Sequence, residues 1–155
     1  MKIRSTTVDN PEFLAHLERA SEDIASGSIP RSLEQLQQIL YNSEIIFALY
    51  DGYRIVAHSE LTRNPISPYR VSVSACVERR LWGRRLGPAI LGHALSHADN
   101  DPTVEYVDGW AWGDNERALR MDYGLGFEIV GTIKDIYRTP EGRSRDQVTL
   151  VRKAR

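Results

Sequence analysis

Arginine and glycine are concentrated in one short segment of the sequence, residues 78–87. Gly83 and Gly87 lie in this segment, and Pro88, which is tolerated in the first turn of a helix, follows directly. Amide N–H groups at a helix N-terminus attract anions, and small residues allow a phosphate to approach the backbone closely. Four arginines supply further positive charge, namely Arg79, Arg80, Arg84 and Arg85. The segment therefore predicts a pyrophosphate site, with a solvated charged surface and chain-turning glycines as the alternative.

Two well-known phosphate-binding patterns do not account for this segment. The sequence has no Gly-x-x-x-x-Gly-Lys-Ser/Thr, the pattern of a P-loop. The spacing of its glycines also differs from the Gly-x-Gly-x-x-Gly of a dinucleotide-binding turn. Any phosphate site here must therefore be of another type.

The elements that would position this segment follow from hydrophobic periodicity. Alternating or continuous apolar residues predict seven strands, over residues 2–8, 45–51, 53–61, 69–77, 104–112, 127–138 and 147–153. Turns are expected at Asp51-Gly52 and at residues 140–142. In the strand 69–77, one face should carry Val71, Val73, Ala75 and Val77.

Apolar residues at three- and four-residue spacing predict four helices between these strands. The first starts at Asp9-Asn10-Pro11 and is broken by Gly27 and Pro30; its apolar stripe is Phe13, Leu14, Leu17, Ala20, Ile24 and Ala25. Ser32 is the expected N-cap of the second helix, with Gln35 three residues later. The third helix should begin around Pro88 and end before residues 99–102, and a short fourth helix should span residues 115–124.

The resulting order is β-α-α-β-β-β-α-β-α-β-β within a chain of 155 residues. This length and the lack of an internal linker predict a single domain, residues 1–155. A mixed order with few βαβ units favours an α+β fold, or an α/β fold in some schemes, with partly antiparallel strands.

The overall composition excludes several classes of function. A net charge of −1 argues against bulk attraction to nucleic acid or to an acidic membrane. The single cysteine excludes an internal disulfide framework and fits a reducing compartment. The apolar runs fall far short of the ~20 residues of a membrane span, and the N-terminus does not have the pattern of a signal peptide. We therefore expect a cytoplasmic protein that binds neither nucleic acid nor membranes.

A second motif covers residues 115–131 and consists of Asn115, Ala118, Gly126 and Phe127 at offsets of three, eleven and twelve residues. Together with Val77, Gly87 and the order of elements, it resembles the GNAT superfamily of acyl-CoA-dependent N-acetyltransferases over essentially the whole chain. In that family a strand ending in Val precedes an Arg/Gln-x-x-Gly-x-Gly/Ala segment that opens a helix. The resemblance implies a mixed, mostly antiparallel central sheet flanked by helices.

The sequence departs from the family pattern at three positions. Trp82 stands at the Arg/Gln position and Arg85 at the first Gly position, in the register that places Gly87 at the helix start. Asp122 stands where many members carry a Tyr that protonates the thiolate of coenzyme A. Tyr123 follows one residue later, which rotates its side chain by about 100° around a helix. Tyr123 is therefore a candidate general acid, with a plain packing role as the alternative.

What the resemblance implies for the site is a cleft that holds acetyl-CoA as a co-substrate, without a metal. The strands 69–77 and 104–112 would splay apart, so that the pantetheine arm pairs with the backbone near Ala75 and Val77. A backbone N–H at the end of the strand that holds Val77 would polarise the thioester oxygen. The expected cofactor-binding residues are Ala75, Cys76, Val77, Trp82, Gly83, Arg84, Arg85, Leu86, Gly87 and Asn115.

The resemblance also implies direct attack by a neutral primary amine in a ternary complex, which needs a base. Glu60 and Glu78 are the nearest candidates by strand position; a water chain or His58 would also serve, although His58 is more typical of a packing residue. Cys76 adjoins the thioester position, but no His is expected beside it, and direct attack needs no thiol.

The acceptor is the least defined part of this hypothesis. A small molecule, an amino acid or a peptide would each fit, and the alternative is a CoA-binding module with little or no activity. Trp110 and Trp112 share a strand face and would either line the acceptor cleft or pack in the core or a dimer. A homodimer through the terminal strands is common in the family.

Overall fold

Strands and helices alternate in the order that the sequence predicts, and all seven strands join one sheet. The computed structural model describes residues 1–27 and 32–155, and for residues 22–27 it describes the backbone alone. The strands are β1 (Lys2–Thr6), β2 (Ile45–Asp51), β3 (Arg54–Arg63), β4 (Arg70–Val77), β5 (Tyr106–Trp112), β6 (Glu128–Arg138) and β7 (Ser144–Lys153). The helices are α1 (Pro11–Gly27), α2 (Leu33–Tyr41), α3 (Leu86–Asn100) and α4 (Glu116–Gly124), with a short 3-10 helix at Arg79–Leu81.

The sheet is mixed and mostly antiparallel, which confirms the expected α+β class. Its strand order is β1-β2-β3-β4-β5-β7-β6, and β4 and β5 form its parallel pair. Alternate residues of β2 show its two faces: Ile46 and Ala48 pack with α1, whereas Phe47 and Leu49 pack with α3. Helices α1 and α2 therefore lie on one face, and α3 and α4 lie on the other.

The first two helices start where the sequence predicts. The side chain of Asn10 accepts a hydrogen bond from the Glu12 amide, and α1 begins at Pro11. Ser32 and Gln35 form the expected capping box at the start of α2. In α1 the predicted Phe13, Leu17 and Ala20 are fully buried. The side chains of Ile24 and Ala25, and the break expected at Pro30, lie outside the described residues.

Several predicted boundaries are wrong by one or two residues. Strand β1 ends at Thr6, and the turn after β2 is made by Gly52 and Tyr53. Helix α3 starts at Leu86 rather than around Pro88, and it continues to Asn100. Because Arg85 adopts a left-handed conformation with φ 60°, the chain turns sharply there and becomes helical immediately.

Strands β4 and β5 pair along only part of their length. Their parallel register runs from Arg70 opposite Tyr106 to Ser72 opposite Asp108. Beyond this point β4 stays paired with β3 as far as Val77, while β5 follows β7 as far as Trp112. The two strands therefore splay apart, as the resemblance implies, and open a cleft in the middle of the sheet.

Candidate functional site

The edge of β4 that faces this cleft presents backbone groups without a neighbouring strand. The amide of Glu78 donates to the Val56 carbonyl on β3, at 3.0 Å. Amide groups of alternate residues point to opposite edges of a strand, so those of Ala75 and Val77 point towards the cleft. The Val77 carbonyl accepts a hydrogen bond from the Trp82 indole Nε1, at 2.9 Å. Within the described strand pairing, the backbone N–H and C=O of Ala75 and the N–H of Val77 therefore remain open to a ligand.

The N-terminus of α3 lies at the end of this open edge. A Cβ atom added to Gly87 would stand 3.3 Å from the Met121 Sδ and 4.0 Å from a Val77 methyl. The first turn of α3 is thus packed against both β4 and α4, and a side chain at position 87 would have to displace the Met121 side chain. The first amides of a helix have no intrahelical acceptor, so those of Leu86 and Gly87 can donate to an anion.

The four arginines of the segment divide into two pairs with different surroundings. Arg80 donates to Glu78 at 3.0 Å, and the guanidinium of Arg79 lies 5.4 Å from the ring of Trp82. Arg84 and Arg85 are exposed, and no acidic side chain among the described residues pairs with either. Arg84 and Arg85 are therefore the arginines best placed to meet an incoming anion.

Trp82 connects the β4–α3 segment with α4. Two guanidinium groups lie over its ring, with Arg79 at 5.4 Å and Arg117 of α4 at 5.1 Å from the ring centroid. Its indole N–H is held by Val77. Both cations and this hydrogen bond hold the indole beside the end of β4. Trp82 thus forms a wall of the cleft at the position where the family pattern has Arg or Gln.

The motif in residues 115–131 shapes helix α4. Asn115 is its N-cap, and the Asn115 Oδ1 accepts from the Ala118 amide at 3.2 Å. Gly126 ends the helical turn with φ 94°, and the buried Phe127 then packs near Gly109. The carbonyl oxygen of the Asn115 amide is used in capping, and its NH2 group is left to meet a ligand.

Asp122 and Tyr123 differ in their environments on α4. Half of the Tyr123 surface is exposed. Asp122 is partly buried, and burial raises the pKa of its carboxyl group to about 6. No described residue forms a hydrogen bond with this carboxyl group. Asp122 is therefore protonated far more readily than an ordinary Asp.

Glu78, one of the two candidate bases, lies at the centre of a charged cluster under α1. Its Oε1 accepts from Arg19 at 2.9 Å, and its Oε2 accepts from Arg54 at 3.1 Å and from Arg80 at 3.0 Å. Burial alone would raise the pKa of Glu78, but hydrogen bonds from Arg19, Arg80 and His16 outweigh it and lower the pKa to about 2. This geometry argues against Glu78 as a base.

Glu60, the other candidate base, lies on the same face of the sheet at the edge of the cleft. Its Oε1 accepts a hydrogen bond from Ser74, its neighbour in register on β4. Its Oε2 is buried without a hydrogen-bond donor among the described residues and lies 3.6 Å from the His58 Nε2. Glu60 therefore lies between Ser74 of β4 and the buried His58.

His16, which was not expected from the sequence, connects His58 to Glu78. The His16 Nε2 lies 2.9 Å from the His58 Nδ1, and its Nδ1 lies 3.4 Å from the Glu78 Oε1. Both imidazoles are buried, and burial lowers the pKa of both, that of His16 to about 3. The signal in the sequence was a polar residue on the apolar stripe of α1, between Phe13 and Ala20.

Cys76 has a histidine neighbour, contrary to the expectation from the sequence. The antiparallel register of β3 and β4 places His58 directly opposite Cys76. The two nitrogens of His58, however, face His16 and Glu60. The neighbour is therefore oriented towards other groups, and the pairing does not have the arrangement of a Cys–His nucleophile.

The two tryptophans of β5 share a face, as predicted, but their exposure differs. Their ring centroids are 5.0 Å apart, in an edge-to-face arrangement. Trp112 is buried, stacks on Tyr137 at 5.9 Å and lies under Arg145, whereas 41% of the Trp110 surface is exposed. Of the pair, Trp110 is the one that can contact a ligand.

Two cavities lie elsewhere in the described chain, and the larger, of about 430 Å³, is lined by residues that include Asp101, Glu105 and Lys153. The smaller, of about 180 Å³ between α3 and α4, is lined by residues that include Ser96, Asp99 and Arg152. Its charged pair is internal, since Arg152 and Asp99 bind each other at 2.7 Å. Among the described side chains, no group of three or more His, Cys, Asp or Glu is arranged to hold a metal ion. No described helix is long and apolar enough to cross a bilayer.

Comparison with known proteins relates this architecture to solved structures. No protein-family model matches the sequence, and no curated protein matches it. A GNAT-family acetyltransferase from Streptococcus pneumoniae superposes with a TM-score of 0.84 at 17% identity, covering 98% of both chains. The chain has the GNAT fold.

Two further structures with the GNAT fold extend this comparison. Ribosomal-protein-alanine N-acetyltransferase from Brucella melitensis matches with a TM-score of 0.80 at 20% identity, over 99% of both chains. A phosphinothricin acetyltransferase from Sinorhizobium meliloti in complex with AcCoA matches with a TM-score of 0.83 at 16% identity, over 99% of this chain and 88% of that one. At such identities the likeness is one of fold.

Proposed function

We propose that the protein transfers an acetyl group from acetyl-CoA to a primary amine by direct attack in a ternary complex. The observation that carries the proposal is the open edge of β4, which ends at the N-terminus of α3. An open strand edge can pair with the amides of an extended ligand, and a helix N-terminus can bind its phosphates. Coenzyme A combines these two chemical features in one molecule.

Each part of the cleft has a role in this proposal. The backbone of Ala75 and Val77 pairs with the pantetheine arm, beside Cys76. The pyrophosphate lies on the amides of Gly83, Leu86 and Gly87. Trp82 forms a wall beside the cofactor, and the Asn115 NH2 group donates to it. Arg84 and Arg85 supply positive charge to the phosphates.

Attack on the thioester requires two proton movements in opposite directions. The N–H of Val77 polarises the thioester oxygen, and Glu60 accepts the proton that the amine loses. The departing sulfur must gain a proton from the side of α4. Tyr123 is the donor expected from the sequence, and Asp122, whose pKa is raised to about 6, is a second donor. Comparing Tyr123→Phe with Asp122→Asn in single-turnover thioester cleavage identifies which of the two supplies the proton.

The acceptor is a small molecule, an amino acid or a peptide. Trp110 offers an exposed aromatic surface for it on the face that carries Glu60 and Ser74. Proteins of this fold include one named for phosphinothricin and one named for a ribosomal-protein alanine. An amine panel should therefore contain free amino acids, phosphinothricin and a peptide with an N-terminal alanine.

A CoA-binding module with little or no activity is the alternative, and Trp82 favours it. The indole donates to the Val77 carbonyl and therefore forms a wall beside the open edge of β4. If this wall excludes the acetyl group from the productive position, CoA binds but is not turned over. Calorimetry with CoA and release of thiol from acetyl-CoA with the panel separate the two functions. Binding with turnover supports the enzyme, and binding without turnover supports the module.

Gly87 provides a direct test of the cofactor site. Gly87→Leu places a side chain against Met121 and the end of β4, so CoA affinity should fall more than tenfold. Gly92→Leu is the matched control, because a Cβ at this other glycine of α3 meets nothing within 4 Å. Equal affinity in both variants would show that no cofactor uses the α3 N-terminus.

A homodimer through the terminal strands is also part of the proposal. Strand β6 lies at the sheet edge and exposes four apolar side chains, those of Ile129, Val130, Ile133 and Ile136. Pairing of two such edges would cover them. Sedimentation of the wild type and of Ile133→Lys tests this, since the added charge at the sheet edge should produce a monomer.

A cytoplasmic location is the remaining part of the proposal, supported by the single cysteine.

A further inference from the structure

Ser74 of β4 and Trp110 of β5 stand on opposite sides of the cleft, on the face of the sheet that carries α1. The last paired positions of the two strands are Ser72 and Asp108. Ser74 and Trp110 each follow two residues later, and they point to the same face because side chains alternate along a strand. The cleft therefore has a β4 side and a β5 side on this face, and the two sides differ in chemistry.

The β4 side of the cleft is polar and acidic. The Ser74 hydroxyl bonds to Glu60, its neighbour in register on β3. None of the described Lys or Arg side chains pairs with Glu60. Its neighbour His58 supplies no charge, because burial lowers the pKa of this imidazole. The β4 side thus attracts an ammonium group.

The β5 side of the cleft is aromatic and firmly supported. The exposed ring of Trp110 packs edge to face on Trp112, with the two centroids 5.0 Å apart. Trp112 is buried, stacks on Tyr137 and has the Arg145 guanidinium 4.7 Å from its ring centroid. Because a fixed side chain supports it, the Trp110 ring loses little freedom when a ligand packs on it.

The arginines nearest to the two tryptophans are already paired with acidic side chains. Arg70 binds Asp108 through two hydrogen bonds from its guanidinium, across the last paired positions of β4 and β5. Arg145 bonds to Asp114 at 2.8 Å. Neither arginine is therefore available to the carboxylate of a ligand unless an internal ion pair breaks.

Two further charges of this face lie away from the cleft. Lys153 stands four residues, or ~13 Å, along β7 from Thr149, which is opposite Trp110 in register. Glu128 is on β6, with β7 between it and β5. Among the described strand residues that border the cleft on this face, Glu60 is thus the one charge without an oppositely charged partner.

We propose that the acceptor is an aromatic monoamine, a molecule with one ammonium group, a flat ring and no further charge. The inference rests on the proposed acetyl transfer and narrows its acceptor. The ammonium group lies on the side of Glu60 and Ser74, and the ring packs on Trp110, where an aromatic pair gains more than the area it buries. An amino acid would bring a carboxylate beside Glu60 without a cation to receive it. A polyamine would bring several charges to one carboxylate.

The first test compares phenethylamine with amines that each differ from it in one respect, at saturating acetyl-CoA. The value of kcat/KM for phenethylamine should exceed that for cyclohexylethylamine about threefold, and those for phenylalanine and spermidine about tenfold or more. Equal values for the aromatic and the saturated ring, or a higher value for phenylalanine or spermidine, would overturn the inference and leave the acetyl transfer intact.

Calorimetry with the CoA-bound protein decides the matter if no amine is acetylated. Tighter binding of phenethylamine than of phenylalanine and spermidine would support the inference, and the failure would then belong to the acetyl transfer alone. Binding of phenethylamine that is no tighter than theirs would overturn it.

Variants of Trp110 test the aromatic side. Trp110→Ala should lower kcat/KM for phenethylamine about tenfold, and Trp110→Phe should restore most of it, while the KM for acetyl-CoA stays unchanged. Tyr69→Ala is the matched control, because Tyr69 is 45% exposed against 41% for Trp110 and precedes β4 at its paired end. A purely structural role would lower stability without changing the preference for phenethylamine over cyclohexylethylamine. An equal preference in Trp110→Ala and the wild type would contradict the proposal.

Asp108→Asn tests the charge argument, because it leaves the Arg70 guanidinium without its carboxylate where the cleft begins. A carboxylate on the acceptor can then pair with Arg70. The ratio of kcat/KM for phenylalanine to that for phenethylamine should rise about tenfold, and this ratio does not depend on the amount of folded protein. Glu116→Gln, which frees Arg120 on the outside of α4, should leave the ratio unchanged. The same ratio in Asp108→Asn as in the wild type would show that charge near the cleft does not select the acceptor.

Discussion

Arg79 and Arg80 differ from Arg84 and Arg85 although all four lie within seven positions of the sequence. The first pair is on the 3-10 helix, where Arg80 bonds to the buried Glu78 and Arg79 stacks on Trp82. The second pair is exposed at the start of α3, with no acidic partner among the described residues. One run of like charges thus serves two purposes, because the 3-10 helix ends at Leu81 and the chain turns at Gly83, with φ 85°, between the two pairs.

The comparison predicts that the first pair contributes to stability and the second to ligand affinity. A charge next to a buried carboxylate lowers the free energy of the folded state, whereas a charge beside open helix amides is available to an anion. Variants of Arg79 and Arg80 should therefore lose stability, whereas variants of Arg84 and Arg85 should lose ligand affinity.

Removing the carboxylate that anchors the first pair should have the largest effect. Glu78→Gln leaves three arginines without their shared partner, and we expect a loss of about 2 kcal/mol in the free energy of unfolding. This is less than the ~3–5 kcal/mol of a fully buried pair, because Arg54 and Arg80 are about half exposed. Urea denaturation at neutral pH measures it, and unchanged stability would remove the basis of the comparison.

The stability that Glu78 contributes should depend on pH. The pKa of Glu78 is about 2 in the folded chain against an ordinary value of 4.5, so its contribution is complete above the ordinary value and declines as the pH falls towards 2. The stability difference between the wild type and Glu78→Gln should therefore shrink on acidification. A difference that grows in acid would contradict the assignment.

Removing the second pair should reduce binding without affecting folding. In the double variant Arg84→Ala/Arg85→Ala, we expect CoA affinity to fall about tenfold, with a larger loss at low salt. Calorimetry at two salt concentrations measures this effect. Arg120→Ala is the matched control, because it removes an exposed charge that pairs with Glu116 on the outside of α4. Equal losses in both would identify the arginines as general surface charge.

The conformation of Arg85 can be separated from its charge. Arg85 has φ 60°, which Gly adopts without the steric cost of a Cβ. Arg85→Gly should therefore be about 1 kcal/mol more stable than Arg85→Ala, while the two bind CoA equally. Thermal unfolding and calorimetry of the two variants check this. A less stable Gly variant would show that the left-handed turn is not maintained.

The smallest effect is expected for Arg80. Arg80→Ala removes one of three arginines from Glu78, and since its side chain is half exposed we expect a loss of about 0.5 kcal/mol. Its CoA affinity should equal that of the wild type. A clear fall in affinity would mean that both halves of the run reach the phosphates.

The elements and their order were predictable because local periodicity produces them. Strand β2 has the predicted bounds, and Ser32 caps α2 as expected. The start of α3 was not predictable, because a left-handed Arg is rare and the sequence offered Pro88 as the more usual signal. The exposure of Ala75 was also not predictable, because Val71 and Val73 on the same face of β4 are buried. Ala75 is exposed where β5 has separated from β4.

The candidate site was predictable only in part. The glycines, the arginines and Asn115 lie close together in the sequence, so a motif could point to them. The partners of Glu78 and Glu60 come from distant segments, and His16 is 62 residues away from Glu78. The Cys76–His58 pairing likewise depends on strand register, which the isolated segments do not specify.

The sequence by itself determined the order of elements, the charge of the β4–α3 segment and the residues that start and end α4, because these depend on neighbours within a few positions. The tertiary structure decided which arginines face solvent, which carboxylate is held by arginines and which one meets the cleft. Those outcomes depend on helix α1 packing over β3 and on the splay of β4 from β5. Burial and pairing between distant segments assign different chemistry to residues of the same type.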